Sequence, residues 1–95
     1  MLNKKQVNKL KKRLREIRRL RRDARALKPK IKDGIDALEI EIDKVYGDLR
    51  ARLKVKYNVA AYRFSQHLSL IARLENHIAE LEKKIEENNP VEKIQ

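Results

Sequence analysis

Cysteine, tryptophan and threonine are absent from this 95-residue chain, and glycine and proline occur only twice each. Without cysteine there is no disulfide scaffold, no thiol nucleophile and no thiolate metal site. So little glycine and proline leaves few places to turn, and it excludes collagen-like segments. Aromatic residues make up 4% of the chain, so any core is short of large side chains. Long apolar runs are missing as well; none approaches the ~18 residues that a membrane span needs. Met1-Leu2-Asn3-Lys4-Lys5 is followed by more charge rather than by an apolar stretch. A secretory leader is therefore not expected, and the default compartment is cytoplasmic.

What the chain has in quantity is charge and aliphatic side chains, 41% charged and 41% hydrophobic, with a formal net charge of +11. The charge is laid out in blocks. Residues 1–32 hold 15 Lys and Arg against only Glu16 and Asp23. Residues 33–43 hold Asp33, Asp36, Glu39, Glu41 and Asp43 with no base. Residues 44–73 are basic again, with Asp48 as their only acid, and 74–95 carry six Glu against three Lys. Alternation of this kind serves either a charged partner or pairing between neighbouring helices.

Helical periodicity dominates throughout. Val7, Leu10, Leu14, Ile17, Leu20, Ala24 and Leu27 recur at spacings of 3, 4, 3, 3, 4 and 3, a narrow stripe with one heptad discontinuity near Leu20. Pro29 should stop this helix, because the residue before a proline is pushed out of the α region. Lys28 to Gly34 is the clearest break, with Asp33 as a plausible N-cap for the next helix. A second stripe runs Ile35, Leu38, Ile42, Val45, Leu49, Leu53 and on through Tyr57, Ala60, Phe64, His67, Ile71, Leu74, Ile78, Leu81 and Ile85. Two steps of four around Leu53 make a stutter, and Asn58 hints at a turn.

These patterns predict an all-α chain, a single domain over 1–90 with a frayed tail at 91–95. The preferred architecture is an antiparallel bundle of three helices at about 3–27, 34–56 and 59–88. The alternative is a short basic helix folded back on one long helix over 34–88; that helix would run about 80 Å and need support along its length. Stripes this narrow suit a coiled-coil seam better than a globular core, and chains under about 100 residues are marginal alone. Self-association is therefore expected, with Leu10, Leu14, Ile17, Phe64, Ile71, Ile78, Leu81 and Ile85 as core or oligomer seam.

Chemistry is sparse. Ser65, Ser69, His67 and His77 form no strained nucleophile turn or phosphate loop, and the chain reads as non-enzymatic, with no cofactor and no metal site. His67 falls on the seam, where a polar residue fixes register or finds a cross-helix partner. The basic first helix is the main signal. Like charges face each other at i,i+4 in Lys5/Lys9, Lys9/Arg13, Arg15/Arg19, Arg18/Arg22 and Arg21/Arg25, each at a cost of a few tenths of a kcal/mol. In the three-helix arrangement, the acids of 36–43 and 80–87 offset Arg18 to Arg25. Lys4, Lys5, Lys9, Lys12 and Arg13 then share an unneutralised end with Arg50, Lys54, Lys56 and Arg63, and Tyr62 faces outward for stacking on a base.

The expected function is a small basic helical protein that binds nucleic acid, DNA or RNA, mainly through backbone phosphate. Two other readings stay open. One is a coiled-coil interaction protein or inhibitor docking on an acidic protein surface, such as part of a nucleic-acid-processing machine. The other is a binder of small phosphorylated ligands at an oligomer interface. The cationic first helix lacks the aromatic boundary residues of a membrane-surface helix, so no membrane partner is expected.

Overall fold

The computed structural model describes residues 2–88. It contains two α-helices of 41 residues each, α1 (Lys4–Lys44) and α2 (Gly47–Glu87), and no strand among the described residues. The architecture is a helical hairpin. Asn3 opens α1 through a reciprocal cap: Gln6 N–H donates to Asn3 Oδ1 at 2.8 Å, and Asn3 N–H donates to Gln6 Oε1 at 3.0 Å.

The three-helix expectation is corrected: there are two helices, one folded back on the other. The turn is Val45-Tyr46, not 28–34, so the first helix is long rather than short. Pro29 lies inside α1. It removes one backbone hydrogen bond and costs about 3 kcal/mol in a helix interior. The apolar positions on either side of it, Ala24, Ile31 and Ile35, stay in phase. Ile35 and Ile42 are both 7% exposed, and burial of such side chains is worth about 1.5–3 kcal/mol each. Breaking the helix at Pro29 would forfeit that alignment, and the ring itself sits on the exposed side. Lys56-Tyr57-Asn58 is likewise uninterrupted helix. The chain reverses at Gly47, whose φ of 65° is a left-handed value that side-chain-bearing residues avoid. The expected tail at 91–95 lies outside the described residues.

The seam also differs from the apolar stripe. Every buried residue of α1 falls on one unbroken ladder of alternating steps of 3 and 4: Val7, Leu10, Leu14, Ile17, Arg21, Ala24, Lys28, Ile31, Ile35, Leu38, Ile42 and Val45. α2 follows the same rule through Arg50, Leu53, Tyr57, Ala60, Phe64, His67, Ile71, Leu74, Ile78, Leu81, Ile85 and Asn88. Neither the discontinuity at Leu20 nor the stutter at Leu49 exists. Leu20, Leu27 and Leu49 are 53%, 49% and 54% exposed, and the ladder positions one residue later are bases, Arg21 and Arg50 half-buried and Lys28 exposed. A strict seven-residue repeat keeps one face toward the partner helix. The long stems of Arg21 and Lys28 let them stand on the ladder while the charge stays in water; at Arg50 the Nε is buried.

The chain divides into two compact units, each made from a stretch of both helices. The first joins residues up to Asp23 with those from Ile71 onward. Its core is Leu14, Ile17, Ile78 and Leu81, flanked by Leu10, Leu74 and Ile85. Leu2 N–H donates to Asn88 Oδ1 at 3.0 Å, which ties the two ends of this unit together. The second unit is Ala24–Leu70. Here Ala24, Ile35 and Ile42 are buried on α1, while the facing residues of α2 are only half-buried, Phe64 among them. His67 takes up the cross-helix role expected of it: its Nε2–H donates to the Ala24 carbonyl oxygen at 2.6 Å.

Candidate nucleic-acid interface

In an antiparallel helix pair the residues just outside the seam form two flanks, and the three remaining heptad positions point away from the partner. In the first unit, Lys4, Lys11 and Arg18 occupy the flank that meets Glu75 and Glu82 of α2. Arg18 Nη2 lies 3.1 Å from Glu82 Oε1. The pair is half exposed on both sides and contributes no more than about 1 kcal/mol. Its larger effect is to engage Glu82 on that flank, away from the outermost line of α1. Lys5, Lys12 and Arg19 recur every seven residues along the outermost line of α1, with Lys9, Arg15 and Arg22 beside them, and all six are exposed. Arg22 approaches its neighbour Asp23 at 3.6 Å, and Arg13 reaches Glu16 at 3.8 Å, both weak exposed pairs.

By sequence the first unit holds 15 Lys and Arg against eight Asp and Glu, and the second holds ten against six. The basic excess is thus +7 in the first unit and +4 in the second. Lys4, Lys5, Lys9, Lys12 and Arg13 all lie in the first unit and are all exposed. Arg50, Lys54, Lys56, Tyr62 and Arg63 all lie in the second. The shared basic end expected from sequence is therefore corrected. With the turn at 45–46, the N-terminal stretch of α1 packs with the acidic stretch of α2. The acids of 33–43 share a unit with the bases of 50–63, rather than with Arg18 to Arg22.

The second set is not uniform. Tyr62 is 65% exposed, as expected, and its hydroxyl accepts from Gln66 Nε2 at 3.0 Å. Arg50 sits at a seam position with its Nε buried and unpartnered. It lines a groove of about 350 Å³ together with Glu39, Ile42, Asp43, Lys54, Tyr57 and Asn58. Two carboxylates in that wall oppose a phosphorylated small ligand. Lys32 is paired with Asp36 at 2.7 Å, and this hydrogen bond holds its ammonium above the ordinary value of 10.5. The seam residues named from sequence are used between the chain's own helices, with Leu14, Ile17, Ile78 and Leu81 buried and Leu10 and Ile85 packed on them. Ile71 is half-buried.

Sequence reasoning missed Arg15, Arg19 and Arg22 as members of the outward stripe. The signal was there: they fall between true seam positions once Arg21, rather than Leu20, is counted in the ladder. Among the described residues no group of His, Asp and Glu is arranged to hold a metal, and no helix is long and apolar enough to cross a membrane. No protein-family model matches the chain, and no curated protein or solved structure matches it.

Proposed function

We propose that the protein is a non-enzymatic nucleic-acid binder that grips backbone phosphate with the outward face of α1 in its first unit. The observation that carries this reading is the line of Lys5, Lys12 and Arg19, flanked by Lys9, Arg15 and Arg22 and exposed throughout, while Glu82 of α2 is engaged by Arg18 on another flank. Residues seven apart on a helix are about 10 Å apart, so the line is a rod of positive charge rather than a pocket. Such a rod favours a repeating polyanion over a single small anion. Its exposed polar residues other than bases are few, Asn8 among them, so base reading is minor and sequence preference weak. Lys4 and Arg13 border that face from its two flanks. Lys54, Lys56, Tyr62 and Arg63 are a secondary site at most, because the basic excess of their unit is smaller, +4 against +7.

The test is a salt titration of a labelled mixed-sequence oligonucleotide duplex. Six phosphate contacts give a log–log slope of about −5. Charge reversal at Lys5, Lys12 and Arg19 should flatten the slope by about 3 and weaken binding at every sequence tried. Reversal at Lys54, Lys56 and Arg63 should leave the slope nearly unchanged. No binding by the unmodified chain at ~50 mM salt, where electrostatic affinity is high, would remove the reading and leave an acidic protein surface as the partner.

A further inference from the structure

Ten large apolar side chains are left exposed among the described residues, and all but Leu20 lie in the Ala24–Leu70 unit. Several of them share a side. By heptad position Leu27 of α1 and Leu49, Val59 and Leu70 of α2 lie on one flank of the helix pair. A groove of about 510 Å³ opens there, lined by Ile31, Val55, Lys56, Val59, Ala60 and Arg63. Gly34 belongs to this flank as well, and nothing lies within 4 Å of where its Cβ would be. A glycine in a helix interior costs about 1 kcal/mol relative to alanine. In the isolated chain that cost brings no close packing in return. The same is true of the Leu27-Lys28 and Leu49-Arg50 steps, where the leucine is turned outward and the base holds the seam.

Charge identifies the occupant. Within this unit the 33–43 stretch of α1 carries Asp33, Asp36, Glu39, Glu41 and Asp43 and no base, while α2 carries Arg50, Arg52, Lys54, Lys56 and Arg63 against Asp48. No ion pair between described residues joins the two sets; Asp36 pairs with Lys32 on its own helix. An acidic stretch of α1 therefore lies beside a basic stretch of α2. A uniformly negative partner would meet the acidic stretch, and a uniformly positive one would meet the basic stretch. A second copy rotated by half a turn about the helix direction meets neither difficulty, because its acidic stretch 33–43 lies on the basic stretch of α2 and the reverse.

We propose that this flank is the seat of a second copy of the chain, forming a two-fold, four-helix assembly in which both copies point the same way. Val59 of each copy enters the space over Gly34 and Ala37 of the other, and Arg52 and Lys56 meet Glu41 of the other copy. Leu27, Leu49 and Leu70 are covered at the same time. The residues involved are separate from the phosphate-facing stripe, so this assembly stands or falls independently of nucleic-acid binding.

Light scattering on the full chain, without nucleic acid, is the first measurement. The expected mass is twice 11.3 kDa, and a monomer at ~0.1 mM, well above the Kd of a standard interface, overturns the proposal. Val59→Glu should give a helical monomer. Gly34→Leu closes the recess without adding charge and raises helix propensity. Loss of the dimer in that variant therefore reports the recess and not unfolding; an intact dimer in both variants overturns the proposal. Because the chain has no cysteine, introduced thiols report orientation. Ala37→Cys combined with Val59→Cys should cross-link two chains under mild oxidation. Val59→Cys alone should not, since the two copies of position 59 lie diagonally across the bundle. Efficient cross-linking by the single variant would mean that the copies run in opposite directions and would overturn the proposed arrangement.

Discussion

Leu20 and Arg21 allow the seam to be tested without changing composition, charge or helix propensity. Exchanging them, Leu20→Arg with Arg21→Leu, moves a leucine from an outward position onto the ladder. Leu20 is 53% exposed, so roughly half of the 1.5–3 kcal/mol available from burying it is unused. Position 21 is half-buried, and counting heptad steps from the Leu14 to Leu81 layer places it opposite Leu74. The leucine should recover about 1 kcal/mol there. The arginine loses little, because its charge is in water at either position. The swapped chain should thus be more stable by about 1 kcal/mol, or about 4–8 °C in Tm for a chain of this length. Thermal melting followed by far-ultraviolet circular dichroism is the assay, with both chains at one concentration, because association raises Tm by mass action. A loss of stability of similar size would show that the seam runs through Leu20, as apolar spacing alone has it, and would overturn the ladder.

Pro29→Ala should raise stability by up to about 3 kcal/mol in a urea titration, because a continuous α1 carries the full cost of an interior proline; no gain would mean that a helix starts or stops there. Gly47→Ala should cost about 1–2 kcal/mol at φ 65°, with Gly47→Asn losing less, and an unchanged midpoint would place the reversal elsewhere. Ile17→Ala should cost about 2–3 kcal/mol, at the lower end for a buried isoleucine because only two helices surround it; Ile17 and Ile78 are each 3% exposed, and a cost under ~0.5 kcal/mol would contradict that packing.

The all-α character was legible from the 3/4 spacing, and so was the seam of the first unit, where Leu10, Leu14, Ile17, Ile78, Leu81 and Ile85 are the residues that pack. The start of α1 was legible too, and its cap turns out to be an Asn3–Gln6 pair. The turn was not. Pro29 and Gly34 look like the strongest breakers, yet neither outweighs an apolar register that stays in phase across them. Gly47 alone carries the reversal, and its surroundings, Val45-Tyr46 before it and Asp48 after it, give only a weak turn signal. The ladder was misread wherever a base holds a seam position. A stripe traced through apolar residues alone steps aside to Leu20, Leu27 and Leu49, and each sidestep imitates a stutter.

That misreading carries through to electrostatics, since the position of the turn decides which charges face each other. A turn near 30 would set the bases of 50–63 beside the start of the first helix. A turn at 45–46 puts those bases in one unit with the acids of 33–43, and it puts the acids of 75–87 in one unit with the start of α1. Each basic stretch then has an acidic neighbour, but the outcomes differ. In the first unit the seam is apolar apart from Arg21 and Asn88, Glu82 is paired on a flank, and the surplus bases point to water. In the second unit Lys28, Arg50 and His67 interrupt the seam, and leucines and valines are turned outward instead. A charged seam weakens the pairing of a chain with itself, and an apolar flank is a poor surface to leave in water. Both features are costs for a solitary hairpin. The second is removed when the flank is covered, and for that reason the second unit supports the proposed assembly, as the outward stripe of the first supports the proposed phosphate contact.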